Sequence, residues 1–142
     1  MSGYHDVLVA LDFGPVTTRV LEHAARAVDA SGTLHLVHVL EWVPTVVEGA
    51  FAGYGSPQDM RALTAVSGKK LAELAARSGA VRTTTDVVQG NAALSILEAA
   101  ERYQADLLVI GTEGRSRTSR LLLGRVMERV LRGARCPVLV VR

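Results

Sequence analysis

The sequence predicts a single α/β domain built on an open, five-stranded parallel sheet with helices on both faces. Short apolar runs of strand length alternate along the chain with longer segments whose apolar residues recur at helical spacing. Turn residues separate most of these segments, and no repeat, low-complexity tract or linker divides residues 1–142. Because strands separated by helices need crossover connections, the sheet is expected to be parallel and covered on both faces.

The first half of the chain carries two predicted strands and two predicted helices. In order, these are a strand at 7–11, a helix at 16–30, a strand at 33–40, a loop at 41–56 and a helix at 57–77. Ser31-Gly32 is expected to end the first helix, and Ser56-Pro57 supplies a cap and a first helical residue for the second. A loop as long as 41–56 is either a lid or contact surface, or a cover that packs on the following helix.

The second half adds three strands and two helices. In order, these are a strand at 82–89, a helix from Gly90-Asn91 to about Tyr103, a strand at 106–110, a loop at 112–123, a helix at 124–132 and a strand at 136–141. The spacing of the last helix predicts a buried stripe of Val126, Met127, Val130 and Leu131. The last strand is expected at an edge of the sheet, where its opening proline is tolerated.

Composition and residue types exclude several classes of protein. With 49% hydrophobic and 21% charged residues, the chain is not intrinsically disordered. Its one cysteine, Cys136, forms no disulfide, and no zinc-type cluster, catalytic triad or pair of catalytic carboxylates is evident. His35 and His38 are expected on opposite faces of a strand, which excludes a shared metal ion. Without a signal peptide or an apolar run near the roughly 20 residues that span a bilayer, a cytoplasmic protein without membrane contact is expected.

Positive charge is concentrated towards the end of the sequence. Residues 1–110 carry eight basic and twelve acidic side chains, whereas residues 111–142 carry eight arginines against Glu113 and Glu128. The asymmetry suggests an anionic ligand or partner, although a solvated arginine-rich surface is the simpler explanation. A nucleic-acid partner is the weakest hypothesis, because the segment lacks aromatic side chains on which bases could stack.

The segment after the 106–110 strand has the clearest functional pattern. Gly111, Gly114 and Gly124 stand in the spacing Gly-x₂-Gly-x₉-Gly, with Gly124 at the predicted start of a helix. Glycine amides approach a phosphate without hindrance from a Cβ, and the free amides of a helix start favour negative charge. Arg115 and Arg125 could add contacts to phosphate oxygens. The absence of a Walker A motif and of GxGxxG argues against a P-loop NTPase and against an NAD enzyme.

This segment resembles the signature of the universal stress protein family, Gly-x₂-Gly-x₉-Gly-Ser/Thr followed by a helix and a Pro-Val-Leu-Val-Val strand. Residues 137–141 reproduce that strand. The resemblance extends to the first strand and its acid at 7–13, to the second strand at 36–39 and to the fourth at 105–111. It spans essentially the whole chain and implies a Rossmann-like fold of the adenine nucleotide alpha hydrolase type.

The resemblance also implies a nucleotide site and a mode of assembly. In members that bind ATP, the first-strand acid lies beside the nucleoside, a second-strand valine backbone meets the adenine, and the glycine loop holds the ribose and phosphates. By resemblance these roles fall on Asp12, Val39, Gly111, Gly114, Gly124 and Val126, with Arg115 and Arg125 beside the phosphates. ATP, with Mg²⁺, is the expected ligand and AMP the alternative. Pairing through residues 137–141 implies a homodimer.

Two residues depart from the family's pattern and leave two functions open. Arg125 replaces the hydroxyl residue after the third glycine, and Glu113 lies inside the phosphate loop. An arginine could neutralise a phosphate or close the site, and the glutamate repels a polyphosphate. The chain is therefore either a nucleotide-responsive stress or signalling module with an unknown protein partner, or the same fold acting through protein contacts alone. Asp12 has two explanations as well, because an acid ahead of Gly14-Pro15 also forms turns. ATP hydrolysis should be slow at most, because no general base or arginine finger can be assigned.

Overall fold

The chain folds into three layers, with a parallel sheet between two pairs of helices. The computed structural model describes residues 3–41, 45–47, 50–52, 57–112 and 120–142. Within these residues the elements are β1 (Tyr4–Ala10), α1 (Thr17–Ala27), β2 (Val28–Leu40), β3 (Thr45–Val47), β4 (Ala50–Ala52), α2 (Pro57–Arg77), β5 (Thr83–Gln89), α3 (Ala92–Arg102), β6 (Leu107–Gly111), α4 (Arg120–Gly133) and β7 (Val138–Val141).

The main sheet has the strand order β5-β2-β1-β6-β7, and each neighbouring pair in it is parallel. The chain first winds outward from β1 through β2 to β5, and then crosses to β6 and β7 on the other side. The predicted open, five-stranded parallel sheet is confirmed. The reversal of winding leaves a crevice beyond the carboxyl ends of β1 and β6, where sheets of this kind bind their ligands.

Alternating residues of the central strands pack into two separate cores. Val7 and Val9 of β1 pack with residues of α1 and α2, whereas Leu8 packs on the other face with residues of α3 and α4. The side chains of Val7, Leu8 and Val9 are all fully buried. Because both faces of the sheet are covered, the strands are continuous apolar runs in the sequence rather than alternating ones.

The first helix is shorter than predicted, and the second strand is longer. α1 ends at Ala27 instead of residue 30, and β2 begins at Val28 instead of residue 33. The backbone of Val28 pairs with Tyr4, and the register then shifts so that Asp6 pairs with Thr33. Gly32 lies against β1, where a Cβ would stand 2.5 Å from the carbonyl oxygen of His5. This glycine therefore permits a close strand contact and does not end a helix.

Two predictions for the later segments are corrected. The 41–56 segment, predicted as a loop, contains the antiparallel pair β3 and β4, whereas its predicted cap Ser56 lies outside the described residues. α4 begins at Arg120, so Gly124 lies inside the helix rather than at its start. The Leu-Leu-Leu run that precedes this glycine favours helix, and one interior glycine costs only about 1 kcal/mol.

The buried stripe of α4 is also narrower than predicted. Val130 is fully buried and Val126 and Met127 are half-buried, but the side chain of Leu131 is 50% exposed. One residue after Val130 is a rotation of about 100° around the helix, which carries Leu131 away from the sheet. Among the described residues, no helix is long and apolar enough to cross a membrane.

Candidate functional site

The carboxyl ends of β1, β2 and β6 meet at one edge of the sheet. Ala10, the last residue of β1, pairs with Val37 of β2 on one side and with Ile110 of β6 on the other. The turn that contains Asp12 follows directly, Val39 lies two residues beyond Val37, and Gly111 ends β6. The structure therefore brings three of the predicted site residues, Asp12, Val39 and Gly111, to the same edge.

Asp12 is half-buried and helps to form the turn after β1. Its Oδ1 accepts a hydrogen bond of 2.8 Å from the backbone N–H of Gly14. Its Oδ2 accepts no hydrogen bond from the residues that the structure describes. The turn-forming role expected for an acid before Gly14 is thus present, and it uses one of the two carboxylate oxygens.

Thr17, in the first turn of α1, has a hydroxyl group without a partner among the described residues. Its Oγ1 is buried, and its backbone N–H donates to the carbonyl oxygen of Gly14 at 3.2 Å. The start of α1 also lacks a side-chain cap, because the cap position is Val16, and no acidic residue lies in the first turn. Buried hydroxyls normally have a hydrogen-bond partner. Nothing in the sequence marks Thr17 as a site residue, because a threonine in a first helical turn is common.

Gly111 permits close packing between β6 and α1. A Cβ at this position would stand 2.8 Å from Cγ2 of Val16 and 3.0 Å from Cγ2 of Val20. Both valines are buried on the face of α1 that covers the sheet. Packing alone therefore explains this glycine, and a contact between Gly111 and a ligand stays a prediction.

The structure describes only some of the other residues that were predicted to bind phosphate. Gly114, Arg115 and the neighbouring Glu113 lie outside the described residues. Gly124 is exposed within α4, and a Cβ there would have no atom of the described residues within 4 Å. Arg125 beside it is exposed, whereas Val126 packs against the core of the α3 and α4 face. The surroundings of Gly124 are open, but its amide does not belong to a free helix start.

Comparison with protein-family models identifies the family of this chain. The model of the universal stress protein family matches residues 3–142. The chain belongs to the universal stress protein family. Relatives that are more than 30% identical over nearly the whole of this chain are universal stress proteins as well.

A universal stress protein of Methanocaldococcus jannaschii is 34% identical over 143 residues, which cover 98% of this chain and 82% of the relative. Universal stress protein A homolog 2 of Coxiella burnetii is 33% identical over 145 residues, which cover 100% of this chain and 97% of the relative. The crystal structure of a universal stress protein in complex with cAMP superimposes with a TM-score of 0.68. It is 25% identical, and the match covers 99% of this chain and 98% of that one.

In this universal stress protein a side chain that is distant in sequence accepts a hydrogen bond from the start of α3. Oε1 of Glu41, directly after β2, accepts a hydrogen bond of 3.0 Å from the N–H of Ala92. Oδ1 of Asn91 accepts one of 3.0 Å from the N–H of Leu94, which confirms Asn91 as the cap. The glutamate was missed, because its partner is 51 residues away in sequence. It places a negative charge at the helix start, where an anionic ligand would otherwise be favoured.

The two histidines of β2 face opposite sides of the sheet, as predicted. Nε2 of His35 lies 3.0 Å from Oδ1 of Asp6, and its Nδ1 lies 2.7 Å from Oγ1 of Thr84, beneath the stacked ring of Tyr103. The hydrogen bond with His35, followed by one with His5, holds the pKa of the Asp6 carboxyl below its usual value. No cluster among the described residues has the side chains needed to hold a metal ion.

A second concavity lies between the ends of α3 and α4, at the opposite edge of the sheet. This cleft of about 410 Å³ is lined by residues that include Leu97, Glu101, Arg135 and Cys136. Burial raises the pKa of the Cys136 thiol, so the thiol stays protonated near neutral pH. The cleft therefore offers no reactive cysteine, and the charged groups Glu101 and Arg135 in its lining lie 3.6 Å apart as an ion pair.

Proposed function

We propose that this universal stress protein binds an adenine nucleotide in the crevice beyond β1 and β6 and acts as a nucleotide-responsive stress or signalling module. The observation that carries the proposal is the half-buried carboxylate of Asp12, which stands where the winding of the sheet reverses and keeps one oxygen for a ligand. A carboxylate in that position can accept a hydrogen bond from a ribose hydroxyl. The cAMP complex of a 25% identical family member supports the choice of an adenine nucleotide.

The described residues at the crevice fit the nucleoside part of such a ligand. Asp12 offers an acceptor, and Val39 is half-buried where β2 extends past β1. The buried hydroxyl of Thr17, at the start of α1, has no hydrogen-bond partner among the described residues, and a polar ligand at this edge could satisfy it. The crevice residues therefore favour nucleotide binding over a disabled pocket.

The phosphates are proposed to lie along the glycine segment. Gly114, Gly124 and Val126 are assigned to them by resemblance, and Arg115 and Arg125 by their charge and place in the segment, with ATP and Mg²⁺ as the first ligand and AMP as the alternative. Because Arg125 is exposed and no described residue lies within 4 Å of a Cβ at Gly124, we expect the arginine to turn towards a phosphate without filling the site. Mg²⁺ would neutralise part of the phosphate charge.

A homodimer through residues 137–141 is the proposed state of assembly. β7 is an edge strand, and its Leu139 and Val140 are each 37% exposed. An apolar edge strand presents free backbone groups that can pair with the same strand of a second copy. Nucleotide binding would then bias the dimer towards an unknown protein partner. In the alternative function the same dimer acts through protein contacts alone.

The test is calorimetric titration of the purified protein with MgATP and, separately, with AMP. We expect saturable binding by the wild type and its loss in Gly114→Val. Gly68→Val is the matched control and should bind normally, because a Cβ at Gly68 of α2 would have none of the described residues within 4 Å. If the wild type binds neither nucleotide and Arg125→Ser binds, the arginine closes the pocket and the contact-only alternative holds.

A further inference from the structure

We propose that Phe13 and His38 are positioning residues that hold the turn after β1 in the conformation that presents the Asp12 carboxylate to the crevice. The consequence for ligand affinity rests on the proposed function, whereas the consequence for the turn itself does not.

The turn contains a phenylalanine in an unusual backbone conformation. Phe13 has a φ of 61°, in the left-handed region that bulky residues rarely adopt. The residue stands between Asp12 and Gly14, whose side chain and amide form the 2.8 Å hydrogen bond of the turn. If Phe13 returned to a right-handed or extended conformation, Gly14 would move and this hydrogen bond would break. Something must therefore hold Phe13 in place.

His38 contacts the turn on both sides of Asp12. Its Nδ1 lies 2.7 Å from the carbonyl oxygen of Leu11, and because a carbonyl oxygen only accepts, Nδ1 carries the proton. Its ring lies against that of Phe13, with the ring centroids 4.2 Å apart and the planes inclined by 32°. His38 is itself buried in β2. One fixed imidazole thus restrains the residue before Asp12 and the residue after it.

A lysine also contacts the Phe13 ring. Nζ of Lys70, on α2, lies 5.2 Å from the ring centroid, within the range of a cation–π contact. The phenylalanine ring therefore contacts both an imidazole of the sheet and an ammonium group of a helix. The exposed neighbour Lys69 makes no such ring contact within the described part of the chain, and it provides a matched control for the charge of Lys70.

The competing explanation is that Phe13 only fills space. Its ring also packs against the core between the sheet and the α1 and α2 helices. A filling role predicts a loss of stability without a specific effect on the Gly14 amide. A positioning role predicts that the Gly14 amide loses its partner while amides elsewhere stay protected.

The first measurement is amide hydrogen exchange by NMR, without any nucleotide. In Phe13→Ala the exchange rate of the Gly14 amide should rise by about tenfold or more. In the core control Leu34→Ala the same amide should show a much smaller rise. Phe13→Gly removes the ring but adopts a positive φ without strain, so it should lose less protection at Gly14 than Phe13→Ala. Phe13→Tyr keeps the ring and should retain the wild-type rate. Unchanged exchange of Gly14 in Phe13→Ala would overturn the proposal.

The second measurement is the affinity for AMP. Phe13→Ala should weaken binding about tenfold, and the Asp12→Asn Phe13→Ala double variant should bind no more weakly than Asp12→Asn alone. Lys70→Met should weaken binding more than Lys69→Met. Additive losses in the double variant would mean that Phe13 does not act through Asp12. If the wild type binds no adenine nucleotide, the proposed function fails, and the Gly14 exchange rate still decides whether Phe13 positions the turn.

Discussion

Replacement of Gly111 by alanine should destabilise the protein by about 1–3 kcal/mol, the usual cost of forcing a methyl group into a packed interior. The new Cβ would stand 2.8 and 3.0 Å from methyl carbons of Val16 and Val20, well inside the 3.5–4.0 Å of an optimal carbon contact. Both valines are β-branched, lie on α1 and are at most 8% exposed, so they cannot rotate away. α1 would have to move outward by an amount on the order of 1 Å.

Thermal and urea unfolding measure this effect. For a domain of this size the change corresponds to a melting temperature lower by about 3–10 °C. The Gly111→Ala Val20→Ala double variant should lose less than the sum of the two single variants, because truncation of the valine makes room for the new methyl group. Gly68→Ala is the control and should be neutral or stabilising, because no atom in the described part of the chain lies within 4 Å of a Cβ at this position. A Gly111→Ala protein as stable as the wild type would refute the close approach of β6 and α1.

Three further predictions concern α4, the Asp6 cluster and the sheet edge. Gly124→Ala should stabilise the protein by about 0.5–1 kcal/mol in urea unfolding, because Gly124 is inside α4, and yet weaken MgATP binding; equal affinity would remove Gly124 from the site. Asp6→Asn should lower the free energy of unfolding by about 1 kcal/mol at pH 7. The lowered pKa of Asp6 stabilises the fold above the unfolded carboxyl pKa and ceases to do so as pH falls through the folded one, so the two proteins should converge below about pH 4. A constant difference down to pH 2 would contradict this. Leu139→Lys should convert a dimer into a folded monomer in light scattering; a wild type that is already monomeric would exclude assembly through β7.

The alternation of elements and the class of the sheet could be predicted from the sequence. The apolar runs of β1 and β6 are continuous because both faces of these strands are covered, and that pattern is local. The bounds of α2 and the cap at Asn91 could also be predicted, because proline favours the first turn of a helix and asparagine favours the cap position. The start of β2 was not readable, since it depends on pairing with Tyr4 across the sheet.

The candidate site divides in the same way. Asp12 could be found because an acid directly after a buried strand falls at the ligand edge of such a sheet. The partners of that edge could not be found: Glu41 meets α3 across 51 residues, and His38 meets Leu11 across 27. The position of Gly124 was wrong, because a glycine was taken as the start of a helix that in fact begins at Arg120. Long-range contacts of this kind leave no periodic or motif signal in one sequence.

The measurement that tests the central claim most directly is NMR mapping of backbone amide shifts during titration with MgATP. We predict saturable shifts at Asp12 to Gly14, at Val39 to Glu41, and at Gly111 and Thr112, with none along the cleft between the ends of α3 and α4. Shifts confined to that cleft, or no saturable shifts at any nucleotide concentration, would contradict a nucleotide site beyond β1 and β6.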